Sequence, residues 1–326
     1  MKTCGKKLAL LVLLAMAWTP VAMAFDMSHY ADTSKLATGK WVKVAIDHSG
    51  IYQITASDAS KWGLGDLSRV RVFGYGATQL GETLKSSLPD DLPQVPVVRT
   101  GDRLLFYAQG PVRWTINGPR QVQVQHPYAT RGYYFLTSDD SYGDMQAVES
   151  QVSTSGTTAV NTITGRVFHE EELFNPGETG RMLLGEDFGS SSSQSFKFSL
   201  PGLVDGSSVV AITQFAAKTL GGATTLNFKY NGNNIAGSSD IPAVSSSNSD
   251  HYHYNFSQTT RQFDLSGSQD LTYTVSCNPK GTLFLARLDY ITINYQRALS
   301  LQGLSSLDFG RGDSQKEQRR LRFYPE

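Results

Sequence analysis

Apolar residues in this chain recur at every second position, in short runs closed by Gly, Pro or Asp, and no stretch of useful length keeps a helical period. A period of two puts one face of an extended segment toward a core and the other toward water, so the pattern commits the chain to β-structure. WVKVAI (41–46) and IYQIT (51–55) flank Asp47-His48-Ser49-Gly50, which predicts a strand, a tight turn and a returning strand, a β-hairpin. RVRVFGYG, QVPVV, RLLFYA, QVQVQ and GYYFLT follow at short intervals. A Ser/Thr/Gly-rich stretch from about Ser150 to Thr158 marks a boundary, and Ser190 to Ser193 form a second polar run. Beyond the boundary come FKFSL, SVVAITQFAA, TTLNFKYNG, HYHYNF, LTYTVSC and LFLARLDYITINYQRAL. The expected fold is all-β and mainly antiparallel: a β-domain over residues 25–160, a sandwich-like β-domain over 161–300 and a charged tail over 301–326.

Residues 1–24 read as a Sec signal peptide. Lys2, Lys6 and Lys7 precede the apolar run LALLVLLAMAW, and Ala22-Met23-Ala24 supplies small residues for cleavage before Phe25. The run is short for a membrane span, and no later stretch approaches the roughly 20 apolar residues that a spanning helix needs. Cys4 leaves with the leader, so the exported chain keeps only Cys277. Without an intramolecular disulfide, stability must come from the apolar core. Removing the three leader lysines leaves 26 basic residues against 29 acids, a net of about −3 that invites neither nucleic acid nor an anionic membrane.

Several groupings resemble chemical sites. His169-Glu170-Glu171-Glu172 begins like a zinc-protease helix, but the second histidine of that motif would fall at position 173, which is Leu. Acids ahead of the Asn175-Pro176-Gly177 turn are expected to be solvated, and Arg181 is expected to clamp the segment by pairing with Glu186 or Asp187. His251 and His253 share a strand face, a spacing used by metal sites, but no third ligand is in sight, and inward tyrosines with outward histidines are the expected reading. Cys277, in the alternating strand TYTVSC, reads as a buried small hydrophobe rather than a nucleophile. Arg311-Gly312-Asp313 is a tripeptide of common residues in a charged tail and carries no weight. No glycine-rich phosphate loop or nucleophile elbow is present, and no residue is assigned as catalytic, cofactor-binding or metal-binding.

Ordered landmarks run through the whole chain. They are Trp41-Val42-Lys43-Val44-Ala45 with Gly50-Ile51-Tyr52, Val72-Phe73-Gly74-Tyr75-Gly76, Asp90-Asp91-Leu92-Pro93, and Gly101-Asp102 with Phe106-Tyr107-Ala108-Gln109-Gly110-Pro111 and Trp114. Pro127-Tyr128, Tyr134-Phe135-Leu136-Thr137, Phe168-His169-Glu170, Gly180-Arg181, Gly185-Glu186-Asp187-Phe188 and Leu288-Asp289-Tyr290-Ile291 complete the series. In this order they resemble the N-terminal region of the type IX secretion system sortases, PorU-like cysteine peptidases of the gingipain type. The chain departs from that family at Met182-Leu183-Leu184, where aromatic residues are usual.

The resemblance implies an exported, cell-surface protein whose full form cleaves C-terminal secretion signals from cargo. The implied partners are an outer-membrane β-barrel shuttle protein and its attachment complex. The caspase-like domain with the catalytic histidine and cysteine follows these β-regions in the family and is expected to be missing here, since none of the six histidines adjoins a glycine. The chain alone is therefore expected to be inactive, and to act by docking, positioning or covering the cleft. Two other readings stay open. One is a free-standing surface module binding glycan or protein through aromatics such as Trp114 or Tyr252. The other is a propeptide-like inhibitor of a gingipain-type peptidase.

Overall fold

A computed structural model describes residues 31–81, 90–117, 120–143, 158–178, 182–245, 253–302, 304, 307 and 319–321. The leader, Arg181, His251, Tyr252 and Arg311-Gly312-Asp313 lie outside the described residues.

The first half contributes β1 (Val42–Ile46), β2 (Gly50–Thr55), β3 (Arg71–Gly76), β4 (Val97–Thr100), β5 (Arg103–Ala108), β6 (Val112–Asn117), β7 (Arg120–Gln125) and β8 (Gly132–Thr137). Two antiparallel three-stranded sheets, β1-β8-β3 and β2-β5-β4, close on one core of Ile46, Ile54, Val72, Leu104, Phe106 and Leu136. The predicted strands at β1 and β2 are both present, but the predicted hairpin is not: β1 pairs with β8, and β2 pairs with β5. The reason is packing. Val42, Val44 and Ile46 reach the core from one sheet while Tyr52 and Ile54 reach it from the other, so the segment between them turns a corner between layers.

A short helix, α1 (Ala56–Lys61), follows β2 directly. Thr55 caps it, accepting from the Asp58 backbone N–H while the Asp58 carboxylate accepts from the Thr55 N–H, and Ala59 is buried beneath. Six residues are too few to show a helical period, so the capping box was its only sequence signal. In the Phe73–Gly76 segment, Gly76 has φ +63°, and a Cβ there would come within 2.3 Å of the Gln109 carbonyl oxygen, so only glycine fits.

The second half contributes β9 (Thr158–Val160), β10 (Thr162–Glu170), β11 (Ser193–Ser199), β12 (Ser207–Leu220), β13 (Thr224–Tyr230), β14 (Asn233–Asn234), β15 (Ser239–Ile241), β16 (Asn255–Leu265), β17 (Asp270–Pro279), β18 (Thr282–Ala298) and β19 (Arg319–Leu321). The β10-β18-β12-β16 sheet packs against the β11-β17-β13-β14 sheet, with β15 on β13, and β19 runs parallel to β9. Between the two layers lie Phe188, Phe215, Phe228, Tyr273, Ile291 and Ile293. Each such side chain contributes about 1.5–3 kcal/mol on burial, which is how a chain with one buried free cysteine, Cys277, holds together. The nearly all-β antiparallel architecture expected from the alternation is thus present. Among the described residues no helix is long and apolar enough to cross a membrane.

β6 and β7 form a separate two-stranded hairpin. It belongs to the first half in sequence and lies against the outer face of the second half's β10-β18-β12-β16 sheet, and beneath it is a cleft lined by carboxyl and amide side chains.

Candidate functional site

The hairpin and the sheet enclose a cleft of about 610 Å³. β10 supplies Glu170 to its floor, β18 supplies Asp289 and Tyr290, β12 supplies Gln214, and β16 supplies Gln258. Asp289 is there because β18 is irregular. Its register against β12 jumps from Tyr290 opposite Gln214 to Leu288 opposite Phe215, leaving Asp289 as the extra residue of a β-bulge. Leu288 and Ile291 both face the core, so Asp289 and Tyr290 together face the cleft. Gln214 Nε2 donates to Asp289 Oδ2 at 2.8 Å, and Gln258 Nε2 donates to the Tyr290 hydroxyl at 2.6 Å.

The hairpin is held by glutamines. In Gln121-Val122-Gln123-Val124-Gln125 the usual rule would turn the valines inward. Here Gln121 and Gln123 are 1% and 3% exposed, while both valines are half-buried. The buried Asn294 side chain treats Gln121 as a neighbouring strand would: Oδ1 accepts from the Gln121 N–H at 3.1 Å, and Nδ2 donates to its carbonyl at 3.0 Å. Arg166 donates to Gln121 Oε1 at 2.7 Å. Gln123 donates to Glu170 Oε2 at 3.2 Å and accepts from the Thr292 hydroxyl, and Gln125 lines the same cleft as Glu172. Trp114 of β6 meets Phe168 edge-on at 5.6 Å and lies under Arg166, whose guanidinium carbon is 4.4 Å from its ring centre. Trp114 is therefore part of the joint between hairpin and sheet.

Burial dominates the electrostatics. It pushes Glu170 up to about 7, against the Gln123 hydrogen bond and with help from Asp289 and Glu172. It pushes Asp289 up to about 6, against the bond from Gln214. Glu172, at the more exposed mouth, is raised by the same cause. The expectation of solvated acids is thus corrected for Glu170, which the hairpin covers. Glu170 and Asp289 can therefore hold protons closer to neutrality than free carboxyls do and serve as hydrogen-bond donors, a property that catalytic acids share. Their hydrogen-bond partners, however, are glutamines: Gln214 holds Asp289 within the second half, and Gln123 ties Glu170 to the hairpin, so the visible work of Glu170 is to join the two halves.

The remaining candidates lie elsewhere. His169 points to the other side of β10, packs on Phe196 and bonds Glu186 Oε1 at 2.5 Å. That bond holds the imidazole above its ordinary value, and Glu186, though burial acts to raise it, falls below its own through the same contact. Asp187 lies 3.5 Å from Arg287. Arg181, which could pair with Glu186 or Asp187, lies outside the described residues. Cys277 is buried, and burial alone raises its thiol to about 11, as suits an inert core residue. His253 is exposed and Tyr254 half-buried against Phe256. Among the described residues no group of three or more His, Cys, Asp or Glu is placed to hold a metal ion. Sequence reasoning missed Asp289, although its signal was present: the core positions run at a spacing of two through Ala286 and Leu288, then jump three to Ile291.

No protein-family profile matches the sequence, and no curated protein matches it. Among solved structures, the crystal structure of dimeric latent PorU from Porphyromonas gingivalis is similar over 84% of this chain, with 31% identity and a TM-score of 0.73. The sugar-binding C-terminal domain of EclA (14% identity, 37% of this chain and 89% of that one) and a carbohydrate-binding module of Cellvibrio mixtus lichenase 5A in complex with cellotriose (18% identity, 42% and 98%) both have a TM-score of 0.23, too low to carry an argument. The chain spans about a quarter of the PorU chain, 26% of its length. Over most of its own length, therefore, the chain is similar to one part of PorU.

Proposed function

We propose that this chain is a non-catalytic N-terminal β-region of a type IX sortase-like cysteine peptidase, which docks and positions the catalytic part at the outer-membrane surface or covers its cleft. The single observation that carries this reading is the PorU similarity: 84% of this chain against 26% of PorU leaves most of that protein unmatched. That the similar PorU structure is of a latent form adds weight to the covering role. In this reading residues 25–160 and 161–300 are two β-domains, exported through the leader at 1–24, and the partner is an outer-membrane β-barrel. Tight joining of the halves through buried hydrogen bonds suits a region whose work is to hold other parts in place.

A domain exchange tests it. Putting this chain's mature residues in place of the matching region of PorU is expected to keep cargo processing at the cell surface, read as loss of the C-terminal signal by mass spectrometry. A chimaera that folds and reaches the surface but leaves cargo unprocessed overturns the proposal. So does cleavage of a secretion-signal peptide by the purified chain alone.

A further inference from the structure

The cleft under the hairpin presents an unusual combination: one of the bonds that fasten the two halves of the protein ends on a carboxyl that the hairpin itself covers. Gln123 on β7 bonds Glu170 at the end of β10, Asp289 lies on the same floor, and Gln125 and Glu172 line the cleft beside them. We propose that the β6–β7 hairpin is a pH-sensitive latch, fastened to the second half when these carboxyls are protonated and loosened when they ionise.

The charged neighbours argue for this direction. Around Glu170 the acids Asp289 and Glu172 oppose its ionisation, and His169, on the far side of β10, is the cation that favours it. Tyr290 and Tyr254 both feel the Asp289 charge, and neither supplies a positive one. On the hairpin side Arg120 lines the cleft from the exposed start of β7, while Arg166 is bonded to Gln121 and stacked on Trp114. Glutamine N–H groups favour the ionised carboxyls, but burial outweighs them. With the hairpin lifted, Glu170 returns toward its ordinary value of 4.5, whereas docked it sits at about 7. The docked state therefore binds the proton more tightly. Docking is strongest below the ordinary value and is lost as pH rises through about 7.

Hydrogen exchange read by mass spectrometry on the full chain tests the latch. After correction for intrinsic exchange, the peptide spanning β6 and β7 is expected to lose protection at least about tenfold between about pH 5.5 and 8.5, while β13 and β17 in the sandwich core stay constant. Glu170→Gln combined with Asp289→Asn is expected to flatten that dependence. A wild-type hairpin whose protection does not change with pH overturns the proposal, as does a double variant that keeps the full change. Should the double variant fail to fold, Glu172→Gln at the exposed mouth is expected to shrink the wild-type loss, and an unaltered loss would count against the latch. None of these readouts depends on peptidase activity.

Discussion

Glu170 shows how little a residue's type says about its charge state. It lies in a run of three glutamates ahead of a turn, and two of the three, Glu171 and Glu172, are exposed. Glu170 differs because its side chain shares a face of β10 with Phe168 and is roofed by Gln123. Its raised value makes it a net cost once ionised. Stability from this group is complete below 4.5 and declines as pH rises to about 7. Glu170→Gln is expected to stabilise the chain at pH 8 by about 1–3 kcal/mol in urea unfolding and to change little at pH 4. His169 follows a related course for a different cause. Because Glu186 raises it, its contribution is present below the ordinary imidazole value and fades as pH climbs through the folded one. An NMR titration is expected to find His169 above 6.5 and to find it lowered by Glu186→Gln.

Strand β18 shows what one extra residue does to an element. It pairs with β10 on one side and β12 on the other, and the bulge at Asp289 interrupts only the β12 register. Deleting Asp289 restores strict alternation between Leu288 and Ile291 and leaves the core side chains on the core face. Deleting Thr292 instead turns every later residue over, sending Ile293 and Tyr295 outward. The first deletion is expected to keep a cooperative melt, and the second to abolish it, in circular dichroism. Gly165 makes a related point on β10. It is paired with Tyr295, and a Cβ there would fall 2.5 Å from the tyrosine ring, so the bare backbone leaves room for an aromatic side chain that donates to the Pro201 carbonyl.

Across the whole molecule, two apolar cores are joined by a polar seam. Within each half, burial of Phe, Leu, Ile and Val does the work, whereas between the halves Asn294, Gln121, Gln123 and Thr292 do it. Such a seam adds little net stability but fixes one arrangement, since any other leaves buried amides unpaired. Asn294→Leu strands the Gln121 N–H and carbonyl and is expected to cost about 2–4 kcal/mol. Calorimetry should register this as separation of the unfolding of the two halves.

The sequence by itself determined the all-β class, most strands and the burial of Cys277, because these follow from a period of two and from residue polarity, which are local. It also carried the ordered landmarks that resemble the sortase family, and the PorU similarity agrees with them. Tertiary structure alone decided which strands pair, since β1 and β2 are neighbours in sequence yet enter opposite layers. It alone turned the glutamines of β7 inward, because their partners, Asn294, Thr292 and Glu170, lie 173, 169 and 47 residues away. A local pattern records which face of a strand is apolar; whether a polar face is wet or buried depends on what the rest of the chain places over it.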